Sequence, residues 1–540
     1  MEKNGVLDPE KKDNIKKGLE RFAQKAGEMG YNAITFDDLS HLVIHDFYGE
    51  DLADKIRSYQ EFYTDLFAIA RVNSLKIFIT TDFMFFNDAI KKHTGGRFQN
   101  CIELFRDSVR KLLTGFPHIN GIILRIGEVD GVDVEGDVIS KLTIRTPREC
   151  RTLIRSVLPV FEELDRILVF RTWTLGAFPI GDLTWNPVTF NKVFGNIMSD
   201  NLIISHKIGE TDFFRYLNLN PLFFEGEHQR IVELQTRREY EGFGEFPCYI
   251  GRDFEKYARY LRTCSCICGI SVWCQTGGWS HFTNITFLRD SSIWNEINTY
   301  ITINIFRNHI TSEEAVIRYA EKHYPGKDPG LLLQLLKYSD YVIKQLWYIP
   351  EFSQKRLYFR RSCVPPLLWI FWDNILINHT LRKVIRRFVH ERREAVADGY
   401  RALKKIKKMK TCAAELGIAA ECIDFQYDTF SIIAESRVYL FGEWDPSIPG
   451  RITAMIEKYH RKYPNGFHFE YDFDPIKIKK WLIKTIFHYT LRRHPHYRIF
   501  DRFFFIPFSK LVYPLLRLWQ KKRLPSFADE QAMGIQILFK

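Results

Sequence analysis

The chain has 540 residues, is 46% hydrophobic and 15% aromatic, and carries a formal net charge of +12. This length exceeds what one ordinary hydrophobic core can organise, so two domains are expected, one of them the size of a barrel. The positive charge favours an acidic partner such as nucleic acid, an anionic membrane surface or an acidic sugar. Because the sequence has no glycine-rich phosphate loop, paired Cys-x-x-Cys finger or RNA-binding aromatic signature, no nucleic-acid partner is expected.

The ten cysteines show no disulfide framework, which is typical of a reducing compartment. The N-terminus begins with a charged helical pattern in place of an apolar signal region. No apolar run approaches the roughly 20 residues that span a bilayer. We therefore expect a location in the cytoplasm, or peripherally on the inner membrane of a bacterium. Cys264, Cys266 and Cys268 alternate along one strand face, where packing is favoured over a soft-metal site, so no metal or other cofactor is predicted.

From about residue 10 to residue 300, amphipathic helical segments alternate with seven short runs of apolar and β-branched residues. The runs are Asn32–Asp37, Leu75–Thr80, Gly121–Leu124, Ile167–Phe170, Leu202–Ser205, Ile231–Leu234 and Gly269–Trp273. Continuous apolar strands separated by helices indicate a parallel sheet covered by helices. The pattern predicts an α/β fold, a TIM-type (β/α)8 barrel that lacks its first strand in this chain. Either that strand lies unseen in the N-terminal tail, or something else completes the barrel.

The pattern changes after residue 307. Thr311 to Glu314 form a capping box that begins a helix, and the remainder is mainly helical. We therefore predict a catalytic barrel over residues 1–308 and a mainly α-helical domain over residues 309–540. Basic residues alternate with large apolar ones in three segments near the end, at 477–487, 498–508 and 515–523. Such segments are typical of contact with an anionic membrane surface, and packing against the barrel is the alternative.

Three acidic residues follow strand-like runs, namely Glu128, Asp212 and Glu239. Carboxyl groups at the C-terminal ends of successive strands are how a (β/α)8 barrel builds an active site. A protonated carboxyl group with one or two opposing carboxylates is also the minimum apparatus for hydrolysing a glycosidic bond. Capping and salt bridges to neighbouring arginines are the structural alternatives for each acid. The arrangement predicts a glycoside hydrolase.

The same positions carry a resemblance to a known family. Residues 126–129 read Ile-Gly-Glu-Val, residues 207–213 read Lys-Ile-Gly-Glu-Thr-Asp-Phe, and residues 233–242 read Glu-Leu-Gln-Thr-Arg-Arg-Glu-Tyr-Glu-Gly. With these motifs the chain, over about residues 30–320, resembles the barrel of family 67 α-glucuronidases. The resemblance implies hydrolysis with inversion, with Glu128 as the general acid. Asp212 is then the expected base, and Glu239 shares or polarises the attacking water.

An acidic sugar requires cationic partners for its carboxylate, and arginine is suited to bidentate pairing. Arg171, Lys207 and Arg215 lie at or near predicted strand ends and are candidate ligands, with structural ion pairs as the alternative. Trp173 and Trp279 are candidates for a wall that stacks on the sugar ring, with core packing as the alternative.

More loosely, the chain is similar to the larger component of bacterial two-component hydrolases that remove 3-deoxy-D-manno-oct-2-ulosonic acid (Kdo) from lipid A. This resemblance implies a membrane-associated glycolipid as substrate and a small partner protein, which would supply the missing strand. The prediction is an inverting hydrolase that removes a terminal acidic sugar, Kdo-like or a uronic acid. Two alternatives remain: a soluble α-glucuronidase that acts on oligosaccharides, and a non-catalytic subunit that binds acidic glycans or lipids.

Overall fold

The computed structural model describes residues 2–3, 6–126, 137–140, 142–174, 178–275, 282–359, 361–367, 369–474 and 491–493. Its central element is a sheet of seven parallel strands. These are β1 (Ala33–Asp37), β2 (Lys76–Asp82), β3 (Ile119–Arg125), β4 (Ile167–Arg171), β5 (Leu202–Lys207), β6 (Gln229–Gln235) and β7 (Ile267–Trp273). The strands lie side by side in chain order, each hydrogen-bonded to the next. All seven predicted strands are confirmed.

Helices precede, separate and follow the strands. They are α1 (Pro9–Met29), α2 (Glu50–Val72), α3 (Asp88–Thr94), α4 (Phe98–Gly115), α5 (Pro147–Glu163), α6 (Pro187–Phe194), α7 (Gly251–Leu261), α8 (Ile293–Arg307), α9 (Ser312–His323), α10 (Pro329–Val342), α11 (Pro350–Ser353), α12 (His379–Ile385), α13 (Arg392–Leu416), α14 (Glu421–Phe441) and α15 (Ser447–Lys462). Local chemistry fixes several of their ends. The Thr311 hydroxyl oxygen accepts a hydrogen bond from the Glu314 backbone N–H at 3.1 Å, so the predicted start of α9 is confirmed.

The helices around the barrel meet at the place where the sheet is open. Strands β1 and β7 are the two edges of the sheet, and within the described residues no strand joins them. Helices α1 and α8 nevertheless meet, because Lys25 contacts Glu296 at 3.1 Å and the Tyr31 hydroxyl donates to the Thr299 carbonyl at 2.9 Å. The fold is therefore a (β/α)8-type barrel that lacks one strand, as predicted.

The region after residue 308 is mainly helical, as predicted, and packs tightly on the barrel. One hydrophobic core spans α1 to α6 and the first five strands, and a second joins β6, α7 and α8 to helices α9, α10 and α12 to α15. The boundary between the two main hydrophobic cores thus lies inside the barrel, between β5 and β6, and not near residue 308. The domain boundary at 308 stays a prediction.

Three short strands of the C-terminal region form a small sheet that bears on the site. Ile370–Phe371 pairs antiparallel with Asn374–Asn378, which pairs in parallel with His468–Asp472. Trp372 lies in the turn between the first two strands.

Across the described ranges no helix is long and apolar enough to cross a bilayer. The three basic and aromatic segments near the C-terminus lie outside the described residues, so their contact with a membrane stays a prediction.

Candidate active site

The C-terminal ends of the parallel strands bring polar side chains to one rim of the barrel. The residues that end β2 to β7 are Asp82, Arg125, Arg171, Lys207, Gln235 and Trp273. Charged groups buried at this rim occur in pairs, as burial requires. Asp82 pairs with Arg125 at 2.9 Å, and Arg171 pairs with Glu233 at 2.8 Å. In (β/α)8 barrels this is the end where active sites lie.

Asp212 lies five residues after the end of β5 and is almost fully buried. Three donors hold its carboxylate. The Lys207 ammonium donates to Oδ1 at 2.6 Å, the Phe213 backbone N–H donates to Oδ1 at 2.8 Å, and the Tyr240 hydroxyl donates to Oδ2 at 2.8 Å. Donors of this kind, one of them a cation, stabilise the ionised form of a buried carboxyl group.

Glu239 begins a 3₁₀ turn, Glu239–Glu241, that follows β6. Its carboxyl oxygens accept hydrogen bonds from the Gln235 amide at 3.0 Å and from the Trp372 indole N–H at 2.9 Å. Unlike Asp82, Glu233 and Asp212, Glu239 makes no ion pair with a described cation. Burial, reinforced by the nearby charge of Asp212, raises the pKa of Glu239 to about 7. The donor groups of Trp372, Lys207 and Gln235 oppose this rise.

Asp212 and Glu239 therefore differ in their partners. Asp212 is surrounded by donors and a cation, whereas a large fraction of Glu239 holds its proton. A carboxyl group with a raised pKa is suited to donate a proton, and a carboxylate paired with a cation beside it is suited to act as base or nucleophile. Tyr240 joins the two, because it belongs to the turn of Glu239 and donates to Asp212.

Lys207 and Trp173 form a second part of the site. The Lys207 ammonium lies 3.6 Å from the centroid of the Trp173 ring and 4.7 Å from that of Phe213. Trp173 is half-buried. A cation against an aromatic surface is suited to an acidic sugar ring, which presents both a carboxylate and an apolar face.

Arg171 lies near this group but is held by the protein. Its Nε and Nη2 donate to the two oxygens of Glu233 at 2.8 and 2.9 Å, and the Ser205 hydroxyl donates to the same carboxylate at 2.6 Å. The Trp273 ring covers the guanidinium at 4.7 Å. Arg171 is therefore part of a buried ion pair inside the barrel. Its proposed contact with a sugar carboxylate stays a prediction.

The structure does not bring Arg215 to this cluster. The side chain is fully buried, and it pairs with Glu241 at 3.0 Å, Asp340 at 2.7 Å and Asp253 at 3.2 Å. It also donates to the Tyr249 carbonyl at 2.7 Å. One of these partners, Asp340 in α10, belongs to the C-terminal region. Arg215 therefore joins the barrel to that region, and its contact with a substrate stays a prediction.

Two predicted site residues, Glu128 and Trp279, lie outside the described residues, and their roles stay predictions. The cysteine run is described. The Cys264 thiol donates to the Phe223 carbonyl at 3.0 Å, and Cys266 lies 2.9 Å from the Arg230 guanidinium. In the described ranges no three histidine, cysteine or acidic side chains are grouped so that they could hold a metal ion.

Sequence reasoning missed four members of the cluster, which are Glu233, Gln235, Tyr240 and Trp372. A signal for the first two was present, because Glu233 and Gln235 alternate along a strand and must share the face of the other inward residues. Tyr240 is adjacent to a predicted carboxyl residue. For Trp372 there was no local signal, since it lies 133 residues from its partner Glu239.

No protein-family model matches the sequence, and a comparison with curated proteins gives no match. Solved structures do match. A GH138 enzyme targeting pectin rhamnogalacturonan II has a TM-score of 0.50 and 11% identity over 86% of this chain, which spans 60% of that enzyme's length. An O-GlcNAc hydrolase variant from Thermobaculum terrenum gives a TM-score of 0.42 at 8% identity, over 84% of this chain and 88% of the other. D-psicose 3-epimerase from Clostridium cellulolyticum gives 0.33 at 11% identity, over 54% and 92% of the two chains. At such identities the first likeness supports the barrel fold alone.

The buried position of Arg215 predicts a large effect on stability. Arg215→Ala removes the central cation of a buried network and leaves Glu241 with Arg238 alone and Asp340 with Lys344 alone. Breaking such a network costs about 3–5 kcal/mol. Urea unfolding followed by circular dichroism measures the loss. Arg21→Ala, which removes an exposed pair with Asp290, is the control and should leave the midpoint nearly unchanged. Equal effects of the two variants would contradict the assignment.

The raised pKa of Glu239 predicts a stability that depends on pH. Because the folded state holds this proton up to about pH 7 whereas the unfolded chain releases it near its ordinary pKa, stability should fall as pH rises from about 4.5 to about 7. Glu239→Gln lacks this contribution. The free energy of unfolding of Glu239→Gln, taken relative to that of the wild type, should therefore increase with pH across that range. The increase between pH 4.5 and pH 8 should be on the order of 2–3 kcal/mol. Thermal unfolding of both proteins at several pH values measures this difference. If the stabilities of the two proteins change with pH in the same way, the prediction is contradicted.

Proposed function

We propose that the protein is a glycoside hydrolase in which Asp212 and Glu239 are catalytic carboxyl groups. The observation that supports this most directly is their placement. They are a buried and a half-buried carboxyl group that interact at the strand-end rim of a barrel, one paired with Lys207 and the other with a pKa of about 7. Hydrolysis of a glycosidic bond requires one group of each kind. Two of the structural matches are named as enzymes or hydrolases of glycans, which agrees with the proposal.

In the proposed reaction, protonated Glu239 donates its proton to the leaving glycosidic oxygen. Ionised Asp212 removes a proton from the attacking water, and the Tyr240 hydroxyl and Lys207 hold Asp212 in position. Inversion at the anomeric carbon is the outcome that the family resemblance implies, and proton NMR of the first anomer released would test it. Glu128 remains a second candidate for the acid, because the resemblance places it in that role.

The proposed substrate is a terminal acidic sugar, Kdo-like or a uronic acid, on a membrane-associated glycolipid such as Kdo-lipid A. The net charge of +12 and the Lys207–Trp173 group support an acidic sugar. The basic and aromatic composition of residues 477–523 supports contact with an anionic membrane surface. A small partner protein that adds a strand between β1 and β7 would complete the sheet, since neither edge is paired to another strand in the described part of the chain.

Sugar release tests the function. Membranes that contain the wild-type protein should release acidic sugar from Kdo-bearing lipid A or from an aldobiouronic acid. Asp212→Asn and Glu239→Gln should each lower the rate by about 10²–10⁴-fold, the usual contribution of an acid or base group. Glu227→Gln, which changes an exposed glutamate before β6, is the matched control and should keep full activity.

The outcomes separate the alternatives. Release from the soluble aldobiouronic acid alone would favour the α-glucuronidase, and release only with a small partner protein added would favour the two-component enzyme. Loss of activity in Glu128→Gln, with Glu239→Gln unaffected, would return the acid role to Glu128. If folded protein releases nothing from either substrate, with or without a partner, a glycan-binding subunit replaces the hydrolase.

The pH dependence of the reaction follows from the proton on Glu239. If Glu239 is the acid, kcat/KM should fall as pH rises through about 7, because the active form is the protonated one. Initial rates between pH 5 and 9 give the profile. A rate that rises through pH 7 would instead make Glu239 the base.

A further inference from the structure

The turn that carries Glu239 is held by aromatic side chains of the C-terminal region. The Trp372 indole N–H donates to Glu239 Oε1 at 2.9 Å. The Trp347 indole N–H donates to the Tyr240 carbonyl at 2.7 Å, and the Tyr348 hydroxyl donates to Glu241 Oε1 at 2.7 Å. Three consecutive residues of the barrel rim thus each accept one hydrogen bond from beyond residue 308.

Of these three donors, Trp372 alone contacts a proposed catalytic carboxyl group. It is buried, at 8% exposure, in the turn between the strands Ile370–Phe371 and Asn374–Asn378. Its φ of 55° lies in the left-handed region, which is costly for a side chain of this size and is commonly retained where a site requires it. Its ring also lies 6.2 Å from that of Tyr240, so the indole is fixed relative to both carboxyl groups.

An indole N–H is a donor and never an acceptor. Its hydrogen bond to a carboxyl oxygen is therefore stronger when the carboxyl group is ionised. This preference opposes the burial that favours the protonated form of Glu239. Trp372 contributes to the balance of these effects, together with the more distant Lys207 and with Gln235.

We propose that Trp372 is a positioning residue that sets both the orientation and the proton affinity of Glu239, so that the C-terminal region forms part of the catalytic apparatus. The catalytic consequence rests on the proposed hydrolase function. The effect on the proton affinity of Glu239 does not, because it follows from the contact itself.

Trp372→Phe tests the proposal, since it removes the N–H and keeps an aromatic ring. The pKa of Glu239 should rise by about one unit, the size expected when a charge-assisted hydrogen bond is lost. Infrared difference titration of the carboxyl band, assigned by its absence in Glu239→Gln, measures the pKa without any substrate. The descending limb of the kcat/KM profile should move upward in pH by the same amount.

Trp185→Phe is the matched control. The Trp185 indole N–H also makes a hydrogen bond between the barrel and the C-terminal region, but its acceptor is the Arg361 carbonyl, at 2.9 Å, and not a carboxyl group. This variant should leave the pKa of Glu239 unchanged. A pKa that is unchanged in folded Trp372→Phe, or that moves equally in both variants, overturns the proposal.

A second measurement covers the case in which Trp372→Phe does not fold. In wild-type protein labelled with ¹⁵N-tryptophan, the chemical shift of one indole N–H should change with pH around pH 7. In Glu239→Gln the chemical shift of that N–H should not depend on pH. If no indole resonance behaves in this way, the proposal is wrong. A titrating indole in a protein that releases no sugar would leave the proposal intact and reject the hydrolase function alone.

Discussion

The ion pair between Lys207 and Asp212 is the interaction on which the rest of the site depends. Lys207 ends β5, and its hydrogen bond at 2.6 Å stabilises the charge of Asp212 in a position with little contact with water. That charge then acts on Glu239, where it adds to the effect of burial and raises the pKa. The same lysine also lies against Trp173. One strand-end cation thus links the ionised carboxylate, the protonated carboxyl group and the aromatic wall.

Three other acids at the rim are paired with cations, and Glu239 is not. Asp82 has Arg125, Glu233 has Arg171, and Asp212 has Lys207. These pairs remove charges that would be costly in the barrel interior. Glu239 has neutral donors in their place, the amide of Gln235 and the indole of Trp372. A carboxyl group with neutral partners beside a charged neighbour is suited to retain a proton near pH 7.

The sequence predicted what depends on local pattern. The seven strands followed from β-branched runs. The location of Asp212 and Glu239 at the rim followed from their places after those runs, and their catalytic roles stay predictions. The position of Arg215 could not be predicted, because proximity in sequence to a strand end does not reveal where the loop turns, and here it turns toward Asp253 and Asp340. Its contact with a substrate stays a prediction. Trp372 was not predictable, since its contact with Glu239 depends on how the C-terminal region packs on the barrel. The cores likewise follow packing across residue 308 and ignore the change in sequence pattern there.

The meeting of α1 and α8 has a consequence for synthesis of the chain. Lys25 and Glu296 are 271 residues apart in sequence, so the contact that closes the helical layer is among the least local in the barrel. Contacts of this kind require a large loop to close before they contribute to stability. During translation, the side of α1 that contacts α8 therefore stays uncovered until α8 has left the ribosome, although its other side can already pack on α2. This interval is when the nascent barrel would be most dependent on a chaperone.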